Sequence, residues 1–289
     1  MESPFLLSAS FHIGKDYKWN ITHLGAILFA TDLGKFDSAL ARKAIRFIFY
    51  DGKNRAAPVK HRQDVQLGYA SGFEGLLDSI NGLLPRNEHI GKALREVHPL
   101  FPELAIRELV ANALIHQDMT VRGAGPQIEL FEDRIEITNP GRPLIQTDRM
   151  IDLPPRSRNE ALASLMRRMG MCEEQGSGLD KVIAQVEIYQ LPPPLFREHE
   201  SSMQVVLYGP RSFADMTVEE RIRACYQHAI LKFLSGGERM KNASLCTRFG
   251  IDPKNAAQAS QVIKKSLDAN LIKVADLDHP RAGYIPAWA

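Results

Sequence analysis

Apolar residues bunch at Leu24 to Phe29 as in a short helix, then run through Ala44 to Tyr50 as a β-rich stretch ending at the Asp51-Gly52 turn. From Gly68 to Leu84, Phe73, Leu76, Leu77, Ile80, Leu83 and Leu84 recur at helical spacing, and Pro85 closes the helix. Another helix is expected from about Pro102 to His116, with proline in its first turn and Leu104, Leu109, Ala113 and Leu114 for the core. After the Gly-rich loop at 122–126, QIELFEDRIEIT alternates on both sides of Glu132-Asp133, as two antiparallel strands joined by a tight turn would, and Asn139-Pro140-Gly141 ends the second strand. Helices at about 159–169 and 179–189, stopped by Pro192-Pro193-Pro194, and a strand from Met203 to Tyr208 complete an α/β unit.

The pattern breaks between Gly209 and Thr217, and a different unit follows. Thr217 and Glu220 have capping-box spacing, and Ile222, Tyr226, Ile230 and Phe233 form the stripe of a long helix. Asn242 is expected to cap a short helix that stops at Gly250; a third helix, about 255–270, and a last ribbon give the order of a helix-turn-helix with a wing. The divisions expected are a leading α/β segment (1–88), the principal α/β unit (89–212) and the C-terminal unit (213–289).

Composition narrows the class. In 289 residues, 44% are hydrophobic and 24% charged, the balance of a folded water-soluble protein. A net charge of +2 is too small to announce a nucleic-acid partner unless the charges cluster. There is no apolar run of membrane-spanning length and no secretion leader at the start, so a cytoplasmic protein without membrane contact is expected. Cys172, Cys225 and Cys246 are far apart, odd in number and lack metal-ligand spacing, which reads as reduced structural thiols.

Three clusters carry candidate chemistry. Glu108, Asn112 and His116 stack at four-residue spacing along one helical stripe, either as a solvated polar face or as a seat for a metal–nucleotide, with Asn112 a hard ligand for Mg²⁺ and Glu108 able to orient water. Asn139 and Gly141 form either a plain β-turn or a strand end where an amide meets the edge of a purine and glycine lets the ring approach. Gly176-Ser177-Gly178 precedes a helix, as a simple cap or as a phosphate cradle to which Arg156, Arg158 or Lys181 adds charge.

The order of these clusters along one chain resembles the GHKL ATPases, and more closely the Schlafen AlbA-domain-associated or RecG-related regulators. IRELVANALIHQD, FEDRIEITNPGRPL, RNEALASLMRRMGMCEEQGSGLDKV and the stretch from RIRACYQHA to IPAWA carry the resemblance. It implies a GHKL-type α/β sandwich, a mixed sheet covered by helices on one face, followed by a winged helix-turn-helix domain. It implies ATP and Mg²⁺ as cofactors, Glu108 as the water-positioning residue and Asn112 as the Mg²⁺ ligand. His116, Asn139, Gly141, Arg158, Gly176, Ser177, Gly178 and Lys181 would contact ATP, with Arg158 and Asn159 in a short lid over the phosphates. Asn139 departs from the usual aspartate; its amide oxygen accepts the adenine amino group but lacks the charge. The N-terminal AlbA-like domain of relatives is expected to be absent, and the sequence has no G-x-x-x-x-G-K-[ST] loop for a helicase motor.

Three functions follow as expectations. The first is a regulator of transcription in which ATP binding modulates the C-terminal domain, whose Gln258, Gln261, Lys264 and Lys265 contact DNA, with lid closure or homodimerisation as the response. The second is a slow Mg²⁺-dependent ATPase that remodels a nucleic-acid or protein partner, and the third an interaction module that no longer binds nucleotide.

Overall fold

The computed structural model describes residues 11–13, 19–90, 95–154, 156–172 and 178–289. Strands β1 (Phe11–Ile13) and β2 (Trp19–Ile21) pair as a ribbon ahead of helices α1 (His23–Phe29) and α2 (Ser38–Ala41). Next come β3 (Ile45–Tyr50), β4 (Val59–Val65), α3 (Tyr69–Leu83), and the ribbon of β5 (Arg86–Ile90) with β6 (Arg95–Pro99). Then follow α4 (Glu103–His116), β7 (Gln127–Leu130), β8 (Arg134–Pro140), α5 (Glu160–Arg168), α6 (Gly178–Ile188), β9 (Leu195–Glu198) and β10 (Ser202–Tyr208). The chain ends with α7 (Val218–Leu234), α8 (Asn242–Phe249), α9 (Ala257–Asp268), β11 (Ile272–Val274) and β12 (Tyr284–Pro286).

One six-stranded sheet, in the order β4-β3-β7-β8-β10-β9, organises the larger unit. Only β3 and β7 in it run parallel, so the sheet is mixed. This is the α/β architecture expected, but the sheet crosses the division at residue 88: β3 and β4 belong to the same sheet as β7, β8 and β10. Strand parity sorts the two faces. Ile45, Phe47, Ile128, Leu130, Ile135, Ile137 and Leu207 meet α1, α3, α4, α5 and α6 in the main core. The other face mixes a small apolar cluster, Ile48 and Tyr50 with Phe131, and a set of paired polar side chains. There Arg55 holds the buried Glu129 with two hydrogen bonds (2.7 and 2.6 Å), and Glu136 accepts from Arg134 (2.7 Å) and Gln204 (2.9 Å).

Parity also decides where Asn139 goes. It follows Ile135 and Ile137 onto the helix-covered face and is only 6% exposed. Behind it, the turn after α4 is pinned by Lys43, an almost wholly buried cation whose Nζ donates to the carbonyls of Asp118, Val121 and Ala124. Desolvation lowers the Lys43 pKa, while Asp118 acts to raise it.

The C-terminal segment folds as three helices closed by the β11–β12 ribbon, with Met240 bridging Tyr284. Thr217 and Glu220 form the expected capping box of α7. Asn242 does not cap α8: Lys241 is the N-cap, Ser244 accepts its backbone N–H (3.1 Å), and the Asn242 amide instead donates to Ala256 O and Ser260 Oγ at the start of α9. Nor does α7 bury a single stripe. Its residues 224–230 are buried on all sides because the helix lies between its own unit and the larger one. Gln227 donates to Pro194 O (3.2 Å), and Ile151 and Ile183 of the larger unit enter the second core. Among the described residues no helix is long and apolar enough to cross a membrane.

Candidate nucleotide site

A cavity of about 700 Å³ opens between α4, the end of β8, residues 141–153 and 156–158, α5 and the start of α6. Glu108, Asn112, His116, Asn139, Gly141, Arg158 and Gly178 all line it. Residues spread over seventy positions of sequence thus meet at one place. Ile137, Met203, Val205 and Phe196 add an apolar wall on the sheet side. Lys181, on α6 three residues past Gly178, is not among the lining residues, and Gly176 and Ser177 lie outside the described residues.

Helix α4 supplies the polar stripe through its four-residue repeat. Glu108 is only 3% exposed, so a carboxylate has been carried almost wholly inside. Gly178 explains how α6 comes so close. A Cβ there would stand 2.7 Å from Glu108 Oε2, so any side chain would displace the carboxylate. Gly141 is a second steric requirement, with φ of +96° and a hypothetical Cβ only 2.5 Å from Asp118 Cβ. Backbone bonds Asp118 N to Pro140 O (2.7 Å) and Gly141 N to Ser201 O (2.8 Å) fix the turn against the end of α4. Asn139 Nδ2 donates to Pro140 O (3.3 Å).

The segment after Gly141 is tied to α4 by two adjacent residues. Asn159 Nδ2 donates to Ile115 O and Gln117 O, both at 2.8 Å, satisfying carbonyls at the helix end. Arg158 donates to Arg142 O (3.0 Å) and His116 O (3.4 Å), and its Nε lies 3.9 Å from Asp118 Oδ2. Its guanidinium is therefore occupied by the protein. Burial, with Arg158 as a second cause, lowers the pKa of His116; a hydrogen bond with the Arg156 backbone opposes the shift.

Sequence reasoning missed Arg142 and Arg167, which also line the cavity. Arg167 had a readable signal: Glu160, Ala163, Ser164 and Arg167 fall at i, i+3, i+4 and i+7, one face of α5, and all four line the cavity. Among the described residues no group of three or more His, Cys, Asp or Glu side chains is placed to hold a metal ion.

Residues 123–207, less than a third of the chain, match the family model described as "Putative ATP-dependent DNA helicase recG C-terminal", which supports a GHKL-like ATPase-type domain related to RecG. No curated protein matches the chain in sequence. Among solved structures, the DIP2311 protein from Corynebacterium diphtheriae is similar in fold, with a TM-score of 0.59 and 20% identity. The match covers 92% of this chain and 54% of that one, so the chain spans about half the length of that relative.

Proposed function

We propose that this chain is an ATP-binding, DNA-binding regulator of transcription, in which nucleotide held in the cavity changes how the C-terminal unit engages DNA. The convergence of Glu108, Asn112, Asn139, Gly141 and Gly178 on one cavity carries the reading.

ATP and Mg²⁺ fit the residues present. The two glycines let α6 and the turn after β8 close on Glu108 and Asp118 at the edge of the cavity, and the oxygens of Glu108, Asn112 and Asn139 are hard donors in its lining. The Asn112 amide oxygen would hold Mg²⁺, with phosphate oxygens supplying much of the rest of its shell, the usual manner for this ion. Asn139 would accept from the adenine amino group above the apolar wall of Ile137, Met203 and Val205. The start of α6 would offer backbone N–H groups to phosphate. Bound Mg²⁺–ATP supplies a phosphoanhydride whose terminal phosphate is open to attack by water; Glu108 would position that water. The same placement of Glu108 supports the second reading, a slow ATPase, and turnover stimulated by DNA separates the two.

Helix α6 offers a route from cavity to C-terminal unit. Its first residue, Gly178, abuts Glu108, and near its other end Glu187 accepts from His228 Nδ1 of α7 (2.9 Å) and lies 3.5 Å from Arg248 Nε of α8. A shift of α6 on nucleotide binding would move α8 with it. The order helix, bridge, helix, helix and ribbon supports a winged helix, and Gln258, Gln261, Lys264 and Lys265 are all exposed on α9, where groove and phosphate contacts would be made.

Calorimetric titration with ATP and Mg²⁺, beside the Asn112→Ala variant, tests the site. Saturable binding that the substitution weakens at least tenfold is expected, followed by a change in DNA affinity when ATP is added. Absence of heat in the unaltered protein would remove the nucleotide reading, and DNA binding indifferent to ATP would remove the regulatory one.

A further inference from the structure

We infer that Arg167, with Ser164 beside it on α5, forms the subsite that grips the terminal phosphate of a nucleoside triphosphate. The inference rests on the nucleotide reading above and adds to it the group that tells a triphosphate from a diphosphate.

Four arginines line the cavity, and they are not equivalent. Arg142 is paired with Glu198, and Arg158 is held by two carbonyls and the Asp118 carboxylate. Arg156 and Arg167 have no side-chain hydrogen bond or ion pair among the described residues, so their charge is available to a ligand. Their places differ. Arg156 sits where its backbone meets the His116 ring, at the C-terminal end of α4 beside Asn139 and Gly141. Arg167 sits at the other end.

The second placement follows from how α5 is fastened. Its N-cap, Asn159, bonds carbonyls at the end of α4, whereas Gly170, just past its C-terminus, accepts from Arg107 Nη2 (2.8 Å), the neighbour of Glu108. The two helices therefore run antiparallel, about 15 Å of each lying side by side at 1.5 Å per residue. Glu160 falls level with His116, Ser164 with Asn112, and Arg167 with Glu108 and the start of α6. A ligand whose base lies against Asn139 and whose metal is held by Asn112 extends its last phosphate towards Glu108 and Gly178. There it meets one uncommitted guanidinium, with a hydroxyl one turn away. A dianionic terminal phosphate is the group an arginine fork grips best. A diphosphate would stop short of it.

The test compares ATP and ADP affinities, each with Mg²⁺, for the unaltered chain and for Arg167→Ala, Arg167→Lys, Ser164→Ala and Arg168→Ala. Arg168 carries the same charge on the same exposed turn but does not line the cavity. Arg167→Ala is expected to weaken ATP at least tenfold and ADP less than twofold, with the lysine variant between and Arg168→Ala unchanged. Ser164→Ala should weaken ATP by a few fold. Equal losses for ATP and ADP, no loss in Arg167→Ala, or the same loss in Arg168→Ala would overturn the inference while leaving the nucleotide site standing. Failure of the unaltered chain to bind either nucleotide would overturn both. Thermal midpoints identical to the unaltered protein check that each variant is folded.

Discussion

The contact between α6 and the C-terminal unit can be broken at one residue. Glu187 is the acceptor for His228 Nδ1 and the carboxylate nearest the Arg248 guanidinium. Arg248 is almost wholly buried; its Nη2 donates to Leu191 O (2.7 Å), while Nε and Nη1 have no hydrogen bond. The 3.5 Å approach to Glu187 is thus an ion pair without hydrogen-bond alignment. Burial lowers the Arg248 pKa, and Glu187 is the charge that opposes this. Glu187→Ala therefore leaves a desolvated cation without its counter-charge and an imidazole N–H without its acceptor. Breaking a buried pair in this way costs about 3–5 kcal/mol. Glu187 is 17% exposed and Arg248 keeps Leu191 O, so about 2–3 kcal/mol is expected here. At ~2–4 °C per kcal/mol for a chain of this size, the thermal midpoint should fall by roughly 4–12 °C if unfolding is cooperative. Urea unfolding of Glu187→Ala, Arg248→Met and the double variant measures it. The double variant should lose clearly less than the sum of the singles, because removing both partners leaves no orphaned charge. A loss below about 1 kcal/mol in Glu187→Ala, or strict additivity, would refute the account of this contact.

Two further perturbations separate other parts of the argument. Gly141→Ala combines a positive φ with a Cβ 2.5 Å from Asp118 Cβ, so it should cost more than about 2 kcal/mol and abolish ATP binding; Gly123→Ala, at φ +75° with open space around it, should cost about 1 kcal/mol and leave binding intact. Comparing the unfolding and titration curves of the two checks whether crowding, rather than φ alone, sets the requirement. His116 has its pKa lowered in the fold, so the unfolded chain takes up the proton first. Its contribution to stability is complete above the unfolded value of 6.5 and is lost as pH falls through it. Stability measured from pH 7.5 to 5 should therefore decline, and His116→Gln should flatten that slope; an unchanged slope would assign the decline to other groups.

How much of this was legible beforehand depended on whether the signal was local. The Glu108, Asn112 and His116 stripe follows from helical repeat alone, and the inward face of Asn139 from strand parity after Ile135 and Ile137. Strand β4 escaped because it is an edge strand with mostly exposed side chains, so VKHRQDV carries charge where a central strand would alternate. The parallel pairing of β3 with β7 joins residues 46–49 to 127–130, and no local pattern encodes a partner so distant. The burial of Gln227 and His228 on α7 was hidden for the same reason: each is satisfied by a group from the larger unit, Pro194 O and Glu187. The arginines show the limit most clearly. The sequence offers Arg156, Arg158 or Lys181 to a phosphate and passes over Arg142 and Arg167, and only the positions of Asp118, Glu198 and the nearby carbonyls show that Arg158 and Arg142 are already used by the protein. What distinguishes a binding residue from a structural one at this site is therefore not residue type or spacing but which hydrogen-bonding capacity is left over once the fold is complete.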